Sequence, residues 1–198
     1  EAARRLQSAR QAFDISGEWE KNRELYGDSA FGRHCLLARK LVESGVAFIE
    51  VGQSSYDSHA DNFGWHKGLV PPMEHAWAGL LVDLQQRGLL DKTLVIWAGE
   101  FGRTPFGQGD PADPKGRDHF GKAFSWWLAG GGVKRGTVYG QTDDFGWNIT
   151  ADPVHVHDMQ ATILHLCGID HTQLTFRYQG RQYRLTDIHG QVVSGILG

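Results

Sequence analysis

The sequence predicts an α/β fold built on a mostly parallel sheet, and three observations lead there. Apolar runs at 46–51, 93–98 and 123–129 lack in–out alternation, as strands buried on both faces do. Stretches with helical spacing, at 28–44 and 66–88, precede the first two runs, so helix and strand alternate. Each run then exits into a polar loop rich in Gly, Asp or His. In parallel sheets, ligands collect beyond such strand ends.

The elements follow in order. Residues 1–15 read as a peripheral helix, part of a helical lead-in (1–27) to a single domain spanning 1–198. In 28–44, Asp28 or Ser29 can cap the start, Leu37, Leu41 and Val42 share a face, and Gly45 stops the helix. Val46 to Val51 is the first strand. The next helix is read from a start near Pro71-Pro72 to a stop at Gly88, with Ala76, Leu80, Leu81 and Leu84 on one side. Thr93–Ala98 and Ala123–Ala129 are the second and third strands. A short helix covers 156–168, and 176–185 reads as a small β segment turning at Gly180.

Bulk properties narrow the function. The 198 residues are 40% hydrophobic and 22% charged with a net charge of −3, which leaves no basic footprint for nucleic acid. No apolar stretch nears the roughly 18 residues a membrane span requires. Cys35 and Cys167 each lie in an apolar helical pattern and read as buried free thiols. The chain opens on Glu in a charged helical stretch without Met or signal peptide, which reads as a fragment or processed product. Ten His and 26 Gly raise the prospect of metal or anion sites in loops.

Three clusters carry the chemistry. In Tyr56-Asp57-Ser58-His59-Ala60-Asp61, alternate residues of extended chain point the same way, so Asp57 and His59 can converge on a divalent ion. The competing reading is a solvated loop whose Asp caps the next helix. In Gly99-Glu100-Phe101-Gly102-Arg103-Thr104-Pro105, Glu100 is a metal ligand or a base beside one, or else a surface group. Arg103 either grips an anionic oxygen or forms a structural salt bridge. In Gly116-Arg117-Asp118-His119, His119 contacts metal or substrate while Asp118 orients its ring. A fourth group, His155-Val156-His157-Asp158, reads more simply as a helix cap, and Asp187-Ile188-His189 is similar.

These segments, in this order, resemble a sulfatase-like family known as a domain of unknown function, within the alkaline-phosphatase superfamily. The stretches are CLLARKLVESGVAFIEV, YDSHADN, DLQQRGLLDKTLVIWAGEFGRTP, GRDHFGKAFSWWLAGGGVKRGTVYG, HVHDMQATILHLCGIDH and RLTDIHG. The resemblance implies an alkaline-phosphatase-like α/β/α sandwich, incomplete at its N-terminus, with divalent metal (Zn, Mn, Ca or Mg) at the strand ends. It matches Asp57, His59 and His119 to metal ligands. Glu100-Phe101 stands where an Asp-His pair is common. It also implies a Ser, Thr or modified Cys nucleophile near the first strand, and none appears before residue 45; Thr104 is the fallback.

The function implied is metal-dependent hydrolysis of a small-molecule or carbohydrate sulfate or phosphate ester, in the periplasm or outside the cell. Asp57, His59, Glu100 and His119 would hold metal, Arg103 would hold the non-bridging oxygens, and Asp118 would orient. A water nucleophile is a variant of that reading. The rival is a non-catalytic sulfatase-like binding module that keeps the fold and lacks the nucleophile.

Overall fold

The computed structural model describes residues 11–198, so the first ten residues of the expected N-terminal helix lie outside the description. The chain divides into two compact units. One comprises the chain through Leu90 together with Phe106–Asp118; the other comprises Asp91–Pro105 and His119–Gly198.

The first unit is helical. Helix α1 spans Ser16–Tyr26, α2 Ala30–Glu43 and α3 Asn62–Gln86. Of the two caps open for α2, Ser29 serves, its side chain accepting from Gly32 N at 2.9 Å. Helix α3 starts well before the expected Pro71-Pro72, because Asp61 accepts from Gly64 N and sets the first turn there. Both prolines therefore sit inside the helix, where each removes a ladder donor. Tyr26, Cys35, Leu36, Ala76, Leu80 and Leu84 form the core between the three helices. A Cβ on Gly79 would stand 2.3 Å from the Leu25 carbonyl, so only glycine lets α1 and α3 approach this closely.

The second unit carries the strands, and here the expected fold class is overturned. Strand β1 (Val95–Trp97) pairs antiparallel with β4 (Trp127–Ala129), with Ile96 opposite Leu128. Strand β2 (Gly102–Arg103) pairs antiparallel with β3 (His119–Phe120), β5 (Gln141–Thr142) with β6 (Ile149–Ala151), and β7 (Thr175–Tyr178) with β8 (Arg181–Arg184). Among the described residues every sheet is one of these two-stranded antiparallel pairs; the mostly parallel alkaline-phosphatase-like sandwich is not formed. The physical reason is that a short apolar run fixes neither strand direction nor burial on both faces: Trp97 of β1 and Trp127 of β4 are exposed. The run at 46–51 forms no ladder at all, and its Phe48 is 83% exposed.

Helix α4, Val156–Leu166, closes against the C-terminal segment. Thr162 Oγ1 donates to the Asp158 carbonyl at 2.7 Å and accepts from Val193 N at 2.9 Å. Val95, Phe120, Ala161, Val193 and Ile196 supply this unit's apolar interior. No described helix is long and apolar enough to cross a membrane.

Candidate functional site

The Asp57–His59 loop is held from within. Ser58 is buried at 4% exposure, and its hydroxyl accepts from Asn62 Nδ2 at 2.8 Å. Asn62 N donates to the Lys115 carbonyl at 3.0 Å, which ties the loop to the segment 106–118. With Ser58 turned inward, the side chains on either side turn outward, as alternation in extended chain requires. Asp57 and His59 meet there, Oδ1 to Nε2, at 2.8 Å. Their side chains are 63% and 41% exposed. Tyr56, just upstream, packs edge-on against His66 at 5.4 Å, and its partial burial pushes the phenol above its ordinary range.

The other nitrogen of His59, Nδ1, lies 2.9 Å from Gln108 Oε1 and 3.8 Å from Asp118 Oδ1. Asp57, His59 and Asp118 are thus brought together in the first unit, with Gln108 as an addition that sequence reasoning missed. Gln108 sits in a polar Gly/Pro/Asp loop, 49 positions from His59, with no motif to mark it. A carboxylate and an imidazole side by side form a donor set suited to Zn²⁺ or Mn²⁺.

The remaining site residues lie in the second unit. Arg103 on β2 and His119 on β3 are register partners. The His119 ring rests 4.5 Å from that of Phe101, tilted by 36°. Glu100 is exposed in the bend before β2. Thr104, the fallback nucleophile, is buried at 6% exposure. The fourth group behaves as a helix cap. His155 Nδ1 accepts from His157 N, and Asp158 Oδ2 accepts from His155 N, a capping box at the start of α4. The His157 and His189 rings stack nearby at 5.4 Å.

No curated protein and no solved structure matches the chain. The resemblance to the sulfatase-like family of the alkaline-phosphatase superfamily is overturned, because nothing in the comparisons ties the chain to that superfamily and the parallel sandwich it implied is absent. A family model described as "Protein of unknown function (DUF1501)" matches residues 1–197, and the chain belongs to that family.

Proposed function

We propose that the protein binds a divalent metal ion through Asp57 and His59 and uses it to hydrolyse a phosphate or sulfate ester. One observation carries this reading: the 2.8 Å approach of a carboxylate oxygen and an imidazole nitrogen on an outward-facing loop anchored by a buried serine. His119 and Glu100 are assigned as further donors on residue chemistry and sequence position alone. A bound ion would supply Lewis-acid polarisation of the ester and an activated water. The chain's own residues would do the rest. Asp57 and His59 would fix the ion and Asp118 adds negative charge beside His59; Arg103 is assigned to the anionic oxygens on residue chemistry and sequence position alone.

The exposure of both ligands favours a second reading, a metal-binding module without catalysis, because hydrolytic sites usually exclude water around the reacting group. Assays of purified protein with aryl phosphate and aryl sulfate, across added Zn²⁺ and Mn²⁺, separate the two. The hydrolase reading requires metal-dependent turnover that Asp57→Ala and His59→Ala abolish. Metal binding without turnover of either ester leaves the binding module. Turnover indifferent to metal or to these substitutions contradicts both assignments of the site.

A further inference from the structure

We infer that Gln108 is a positioning residue that selects which nitrogen of His59 binds the metal. The inference rests on the metal reading of Asp57 and His59. A neutral imidazole carries one N–H, and the partner of one nitrogen decides which atom bears it. Gln108 Oε1 lies 2.9 Å from Nδ1, so with a metal on Nε2 the ring's N–H would sit on Nδ1 and donate to this oxygen. Nε2, 2.8 Å from Asp57 Oδ1, would then be the nitrogen whose lone pair is offered to the ion, beside the Asp57 carboxylate. Asp118 Oδ1, at 3.8 Å from the same Nδ1, is beyond hydrogen-bond range, so of the two the amide is the partner of Nδ1.

The backbone shows why Gln108 can hold this place. Its N–H donates to the Gly116 carbonyl at 2.8 Å, and Gly116 N donates back at 2.9 Å, a two-way bridge across the 106–118 loop. Gly116 in turn lies flat against His59: a Cβ there would stand 1.9 Å from the His59 carbonyl oxygen. Gln108 is thus fixed relative to the backbone of the residue it orients. Its choice of acceptor also has a chemical consequence. An amide orients the ring without adding negative charge, whereas a carboxylate in the same place makes the imidazole a stronger ligand.

The test is titration of the full chain with Co²⁺, read by its visible absorption, for wild type, Gln108→Leu, Gln108→Glu and His59→Ala. Thermal melting of each variant serves as the folding control. Loss of such an orienting partner typically weakens metal affinity by about 10- to 100-fold, and that loss is expected for Gln108→Leu. Gln108→Glu is expected to bind at least as tightly as wild type, a rescue that a purely structural role does not produce. Wild-type affinity in Gln108→Leu, with affinity lost in His59→Ala, overturns the role of Gln108 and leaves the metal site standing. The same holds if Gln108→Glu binds no better than Gln108→Leu. Should His59→Ala bind as wild type does, the metal reading itself fails, and this inference with it.

Discussion

Arg39 Nε donates to Asp83 Oδ2 at 2.9 Å, joining α2 to α3 with the arginine side chain wholly out of solvent. The same carboxylate accepts from the Tyr26 hydroxyl at 2.7 Å and from Arg87 Nε at 2.6 Å. Arg39 also reaches Glu43 at 2.6 Å and pairs with Glu18. Loss of Asp83 leaves Arg39 with Glu18 and Glu43 and Arg87 with Glu43, so no charge is stranded and the cost, of about 1–3 kcal/mol, comes from the lost hydrogen bonds. Asp83→Leu is therefore expected to lower unfolding stability by that order in urea titration. Arg39→Met with Asp83→Leu should lose less than the sum of the two single changes, because both remove the same Arg39–Asp83 contact.

The network also sets a pH dependence. Burial pushes the Asp83 carboxyl up, but hydrogen bonds from Tyr26 and Arg87 and the charges of Arg39 and Arg87 outweigh it, and the net effect is downward. Glu18 is lowered chiefly by its hydrogen bond from Arg39. A carboxylate depressed on folding contributes stability that is fully present above its unfolded pKa and fades as pH falls through the folded one. The ordinary values are 3.8 for Asp and 4.5 for Glu, so stability is expected to hold above about pH 5 and to fall below pH 4. Melting temperature against pH checks this, and Asp83→Leu should flatten the acid limb.

The two cysteines part company. Cys35 is buried on α2 and its thiol is pushed up to about 12 by that burial, whereas Cys167, expected to be buried too, is exposed after α4. Since the thiolate is the reactive form, a thiol reagent at pH 8 is expected to label one cysteine rapidly in the native protein and both after denaturation. Peptide mapping should place the fast label on Cys167.

The contact between Gly116 and the His59 carbonyl predicts a coupled defect. Gly116→Ala must push two segments of backbone apart, an overpacking that typically costs about 1–3 kcal/mol. Because the displaced segment carries His59, metal affinity is expected to fall even where the variant remains folded. Calorimetric titration with Zn²⁺, alongside a melting curve, checks both halves.

What the sequence disclosed and what it hid have physical causes. The Ser29 cap and the Gly45 stop of α2 were readable because capping chemistry is local. So was the hairpin turning at Gly180, which lies between β7 and β8. The start of α3 was misplaced because Pro71-Pro72 imitates a helix beginning, while the true signal was the plain Asp61. Strand direction was misread because Val95–Trp97 and Trp127–Ala129 are equally apolar whichever way they pair. Burial of Arg39 was invisible, since its partners Glu18 and Asp83 lie 21 and 44 positions away. In the site, the i, i+2 spacing of Asp57 and His59 announced their pairing. Gln108 gave no local sign, because its partnership with His59 exists only once the 106–118 loop has folded back.

The most direct measurement is equilibrium dialysis of wild type, Asp57→Ala and His59→Ala against Zn²⁺, with bound metal quantified by elemental analysis. Wild type is expected to retain about one ion per chain, and each variant at least tenfold less at the same free metal. Equal metal in all three proteins, whether high or absent, would contradict the assignment of Asp57 and His59 as ligands.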